Sequence, residues 1–151
     1  MRKETTKIKI ILFWGTLLVG VIDQLFKNFL PKSLIYKNSQ AIFGYFDGSV
    51  AVKIIIPILI IVIICISVIK SRSFWIKLSL FAILVGGISN LIDRLLYNAT
   101  IDYLPFFRFS KFNIADLLVY MGIGGIMVNC MLNNTARSIN TRIDDDMTRT
   151  F

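Results

Sequence analysis

The sequence predicts an all-α integral membrane protein with four transmembrane helices and an outward-facing loop region between the first and second. Three observations carry this reading. Of 151 residues, 56% are hydrophobic and only 17% charged, whereas a soluble domain is roughly 25% charged; the mean hydropathy is +0.71. Four apolar stretches approach the length of about 20 residues that a helix needs to cross a hydrocarbon core of about 30 Å. The 17 Lys and Arg residues fall largely in the gaps between those stretches, where membrane topology puts them.

The first stretch runs from about Ile8 to Phe29 and follows Arg2, Lys3 and Lys7. A basic start of this kind also heads a signal peptide. No small-residue cleavage site follows, however, and Asp23 and Lys27 interrupt the apolar run, so a retained helix is expected. The second stretch, Ala51 to Ile69, is dense in Ile and is broken only by Lys53. Such density reads as strand in a soluble protein. At this length, and in lipid, where backbone hydrogen bonds must close within the segment, it reads as helix. The third stretch is Phe74 to Ile92 and the fourth Phe112 to Leu132. The chain beyond, about 133–151, is polar, with Asp144, Asp145 and Asp146 in a row; a frayed end without chemistry is expected there. A single membrane-embedded domain accounts for residues 1–151.

Cations set the expected orientation. Four helices place both termini on one side, and that side carries ten of the 17 Lys and Arg residues against seven on the other. The bias puts both termini in the cytoplasm and the loops Pro31–Val50 and Leu95–Lys111 outside. Basic residues dispersed in this way form no polar basic domain, so nucleic acid is not an expected partner.

Composition also limits the chemistry. With no histidine and two cysteines, neither a Ser-His-Asp nor a Cys-His arrangement can be built, nor an HExxH metal site. No metal and no cofactor are expected. Charges inside a membrane span are costly and are functional candidates by default. Asn90, Asp93 and Arg94 stand at i, i+3 and i+4 and share one face of the third helix. Asn113 and Asp116 stand at i, i+3 at the start of the fourth, and Asp102 lies on the short connection between the two. Two carboxylates in a partly dry site share a proton, because both cannot ionise cheaply. Such a pair activates water with one member and protonates a carbonyl or a leaving amine with the other. The same spacing equally suits acids that merely pair with Arg94, Arg108 or Lys111 to hold helices together. Spacing alone leaves both readings open.

The blocks taken together resemble the lipoprotein signal peptidases, the signal peptidase II family of bacterial aspartyl membrane proteases. That family carries N-x-x-D-R, then V-x-D-F, then F-N-x-A-D. Here these stand as Asn90-Leu91-Ile92-Asp93-Arg94, Thr100-Ile101-Asp102-Tyr103 and Phe112-Asn113-Ile114-Ala115-Asp116. The family's D-Q-x-x-K appears as Asp23-Gln24-Leu25-Phe26-Lys27, and its N-x-G-x-A-F loop is echoed from Asn38 to Phe43. The order and spacing cover about Lys7 to Leu132. The resemblance implies that Asp102 and Asp116 are a catalytic dyad and that Asn90 and Arg94 orient the substrate backbone. It further implies that Asn113 supports Asp116, that Asp23 and Lys27 shape the binding site, and that Asn38 contacts substrate from the outward loop. The implied partner is a prolipoprotein whose cysteine carries a diacylglyceryl group, cut on the amino side of that cysteine at the bacterial inner membrane. Membrane lipids are the other expected partner, and a monomer the expected state.

Several positions depart from the family pattern. Gln40 and Ile42 stand where the outward loop has glycine and a small residue. Ser89 replaces the glycine before Asn90, Asn98 a glycine between the first and second blocks, and Leu117 a serine after Asp116. Asn tolerates positive φ better than most residues, so the turn at Asn98 is expected to survive. No departure removes a carboxylate. The alternative is a non-catalytic membrane adaptor or transporter subunit that retains the fold.

Overall fold

The computed structural model describes residues 2–39, 51–106 and 110–149. Each apolar stretch forms a helix. Helix α1 spans Arg2–Phe29, α2 Ile56–Lys70, α3 Phe74–Tyr97 and α4 Ile114–Arg149. All four are long and apolar enough to cross a membrane, α2 together with the π-helical turn Ala51–Ile55 that leads into it. That turn contains Lys53, whose side chain is buried. Helix α2 has Pro near its start, where the missing N–H costs nothing, and ends at Ser71 in extended conformation.

Helix α3 packs against each of the other three helices. Its buried residues explain why: Ala82, Val85, Gly86, Ser89, Asn90 and Asp93 recur at helical spacing and form one stripe. That stripe is small and polar, while large apolar side chains such as Ile88, Ile92 and Leu95 face outward. In lipid this is the stable arrangement, since small residues let backbones approach and polar groups find partners only inside the bundle. The approach to α4 is a close one. A Cβ on Gly86 would strike the Ala115 carbonyl, so glycine at this position lets the start of α4 lie directly on α3.

Helix α3 runs past its expected end at Ile92 to Tyr97 and closes on Asn98 in the left-handed conformation, φ 54°. The connection that follows is not a plain loop. It holds three short strands, β2 Thr100–Asp102, β3 Leu104–Phe106 and β4 Ser110–Phe112. Strand β1, Tyr36–Asn38, follows α1 and pairs antiparallel with β2, Tyr36 opposite Asp102 and Asn38 opposite Thr100. Strands β3 and β4 pair with Leu104 opposite Phe112. The two small ribbons cap the end of the bundle where α3 finishes and α4 begins.

Beyond Leu132 the expected frayed end is instead a continuation of α4 to Arg149. The segment after Gly125 contains neither Gly nor Pro, and extending an existing helix avoids the cost of nucleation. At 36 residues α4 is about 54 Å long at 1.5 Å per residue. It therefore projects well beyond a core of about 30 Å.

Candidate active site

The site is built at the start of α4. Asn113 immediately precedes the helix and Asp116 is its third residue. The Asp116 amide donates to Asn113 Oδ1 at 2.8 Å, and the Asn113 amide donates to Asp116 Oδ2 at 3.3 Å. This is a reciprocal cap that satisfies first-turn donors. It also fixes the Asp116 carboxylate against the helix end. The remaining oxygen, Oδ1, accepts from Asn90 Nδ2 on α3 at 2.8 Å.

Asp102 ends strand β2, and its side chain is buried. Its Oδ1 accepts from Asn113 Nδ2 at 3.0 Å, and its Oδ2 accepts from Asn38 Nδ2 on β1 at 3.2 Å. Asn113 thus bridges the two aspartates, with its amide oxygen toward Asp116 and its amide nitrogen toward Asp102. It is fully buried, and Nδ2 also reaches Asn90 Oδ1 at 3.0 Å. Burial pushes the Asp102 carboxyl up to about 6, and the neighbouring charge of Asp116 adds to this. The bonds from Asn38 and Asn113 act in the opposite sense. Two carboxylates are held together by asparagines that can neither take nor give their proton.

Beneath this pair lies a second polar cluster. Lys27 Nζ is 2.7 Å from Asp23 Oδ2 and 2.7 Å from Asp93 Oδ2, with all three side chains at most 1% exposed. Lys27 also donates to Asn90 Oδ1 at 3.1 Å, which joins the cluster to the aspartate pair. Asp93 Oδ2 accepts from the Ile101 amide at 3.3 Å and so anchors the strand that carries Asp102. Among the described residues no buried side-chain nitrogen or oxygen lacks a hydrogen-bond partner. In a bundle surrounded by lipid this completeness is what makes three buried charges tolerable.

The structure thus brings together Asp102, Asp116, Asn38, Asn90 and Asn113. Asp23 and Lys27 lie next to them, but they are buried and directed at Asp93 and each other rather than at an open surface. Arg94 is half-buried, and its side chain makes no hydrogen bond or ion pair among the described residues. Gln40, Ile42 and Arg108 lie outside the described residues. Three roles were not legible in advance. Ser89 Oγ donates to Asp23 Oδ2 at 2.6 Å, Tyr103 Oη donates to Asp23 Oδ1 at 2.8 Å, and Gln24 Nε2 donates to Asp93 Oδ1 at 3.1 Å. The signal available was adjacency: Ser89 precedes Asn90, and Tyr103 follows Asp102.

Comparison with known proteins identifies relatives over most of the chain. The family described as Signal peptidase (SPase) II matches residues 8–132. A lipoprotein signal peptidase of Streptococcus agalactiae serotype Ia is 31% identical over 140 residues, covering 80% of this chain and 91% of that protein. The lipoprotein signal peptidase of Enterococcus faecalis is 29% identical over 117 residues, 73% of each chain. Two solved bacterial membrane enzymes, determined by the in meso method, share the fold. One has a TM-score of 0.67 at 19% identity over 87% of this chain and 91% of its own. The other has a TM-score of 0.69 at 20% identity over 82% and 92%. With the match running from the first helix through the fourth, the chain belongs to the signal peptidase II family.

Proposed function

We propose that this protein is an aspartyl endopeptidase that removes signal peptides from diacylglyceryl-modified prolipoproteins, cutting on the amino side of the lipidated cysteine. The observation that carries the mechanism is the bridging of Asp102 and Asp116 by Asn113, with bonds of 3.0 Å to Asp102 and 2.8 Å from the Asp116 amide. The ionised member of the pair takes a proton from water, which adds to the scissile carbonyl. The protonated member stabilises the developing oxyanion and then supplies the proton to the leaving amine. No covalent intermediate forms. Asn38 and Asn90 hold the outer carboxylate oxygens, and Arg94 offers a planar fork for a peptide carbonyl. Asp23, Lys27 and Asp93 lie too deep to meet substrate and support the pair from below.

A site at the end of the bundle suits a lipidated substrate, because the acyl chains stay in the bilayer while the scissile bond meets water. The cation bias supports an outward-facing site with both termini cytoplasmic. In a background lacking Cys65 and Cys130, Ser110→Cys should react with an impermeant thiol reagent in intact cells; reaction only after lysis contradicts this orientation. The function itself is tested in a strain lacking its own lipoprotein signal peptidase. Expression of this chain should convert accumulated precursor to mature lipoprotein, whereas persistent precursor with the protein present in the membrane favours a non-catalytic adaptor.

A further inference from the structure

One hydroxyl joins the three parts of the molecule that set the geometry of the aspartate pair. Tyr103 directly follows Asp102. Its Oη donates to Asp23 Oδ1 on α1 at 2.8 Å and accepts from the Ile114 amide at 3.4 Å. Ile114 opens α4, two positions before Asp116, and its amide is one of the first-turn donors that a helix leaves without an internal partner. The Tyr103 ring stacks on Phe26 of α1, with centroids 5.8 Å apart and planes at 19°. The stack adds apolar contact to the ring, while the direction of the hydroxyl is fixed by its own two hydrogen bonds.

Asp23 is gripped from both directions. Its Oδ1 is held by Tyr103, the neighbour of Asp102. Its Oδ2 is held by Ser89 at 2.6 Å and Lys27 at 2.7 Å, and Ser89 is the neighbour of Asn90, which holds Asp116. Asp23 thus ties together the two backbones on which the dyad depends.

We propose that Tyr103 is a positioning residue whose hydroxyl sets the spacing of Asp102 and Asp116 by fastening both backbones to Asp23. This rests on the aspartyl mechanism above. Burial and the bond to Asp23 raise the phenol's pKa above its usual value, so the hydroxyl keeps its proton across the range in which carboxylates titrate. Phenylalanine would keep the stack on Phe26 and lose both polar contacts.

The test uses the full-length protein in detergent and a lipidated precursor, with kcat and KM followed across pH. For Tyr103→Phe, kcat is expected to fall about ten-fold, as for a lost hydrogen bond to a charged group, while KM stays within about two-fold. The acid and alkaline limbs of the profile should move closer together, because a looser pair shares its proton less tightly. Phe26→Leu removes the stacked ring and keeps the hydroxyl, so both limbs should remain in place. The proposal is overturned if Tyr103→Phe matches the wild type, or if Phe26→Leu moves the limbs in the same way. A lower apparent kcat with KM and both limbs unmoved would report less folded protein and would also overturn it. Failure of the wild-type chain to cut the precursor overturns the peptidase reading and this one together; wild-type cleavage with an unchanged Tyr103→Phe overturns this one alone.

Discussion

Asn113 and Asp116 hold each other at the start of α4: the Asp116 amide donates to Asn113 Oδ1 at 2.8 Å, and the Asp116 carboxylate accepts from the Asn113 amide at 3.3 Å. One asparagine therefore has two separable duties. Its oxygen caps the helix, while its nitrogen reaches across to Asp102. Asn113→Ser retains a capping oxygen, and Ser is as good an N-cap as Asn. It removes the amide that binds Asp102 and Asn90. Thermal stability in detergent should fall modestly, by roughly 1–3 kcal/mol for buried acceptors that lose their donor, whereas cleavage of a lipidated precursor should fall by about a hundred-fold, in line with loss of a group that fixes a catalytic residue. A large loss of stability with activity per molecule retained would show that the cap alone matters.

The raised pKa of Asp102, about 6 against an ordinary 3.8, has a sign that can be worked out. Between those two values the folded protein binds a proton that the unfolded chain does not. Stability from this group is therefore full at low pH, declines as pH rises toward about 6, and is level above. Activity follows the same proton. kcat/KM reports the free enzyme and should fall as pH rises through about 6, where the pair loses its shared proton. Asp116→Asn removes the second cause of the shift, so the Asp102 pKa should drop, as read by infrared titration of the carboxyl stretch. An unchanged value would mean that burial acts without coupling.

How far the sequence discloses this site depends on the range of the interactions. The four helices follow from length and hydropathy, which are local, and the left-handed Asn98 follows from the chemistry of one side chain. The aspartate pair is legible once Asn90, Asp102 and Asp116 are placed on adjoining elements. The strands are not legible, because three residues are too few for a periodic pattern and Tyr36 meets Asp102 only through tertiary pairing. The same holds for Tyr103 and Ser89, whose hydroxyls find Asp23 from other elements. The continuation of α4 was obscured by polarity, which marks the end of a membrane span but not the end of a helix.

Lys27 lies between two buried carboxylates, at 2.7 Å from each. Lys27→Met keeps the bulk of the stem and leaves Asp23 and Asp93 facing each other without a countercharge. Breaking a buried charge network by removing one partner costs on the order of 3–5 kcal/mol. Strongly reduced accumulation and a lower unfolding temperature are expected. Wild-type stability in Lys27→Met would show that the ammonium does not hold the helices together.

Arg94 stands one turn after Asn90, and its guanidinium makes no hydrogen bond or ion pair among the described residues, in keeping with the proposed role of meeting substrate. Arg94→Lys keeps the charge but loses the planar fork. The protein should reach the membrane in normal amounts while kcat/KM falls about ten-fold, the equivalent of one good hydrogen bond. Full activity would reduce Arg94 to a cation at the membrane surface.

The central claim is that Asp102 and Asp116 act as one catalytic unit. Asn is nearly isosteric with Asp but neither takes nor gives a proton at working pH, so Asp102→Asn and Asp116→Asn should each accumulate normally and each lose nearly all activity. Groups that act together lose most of their effect at the first removal, and the double variant should be little worse than either single one. The most direct measurement is the rate at which purified wild-type, single and double variants cleave a lipidated precursor, per mole of protein. The account predicts near-complete loss in both single variants with no further large drop in the double; substantial cleavage by either single variant would contradict it.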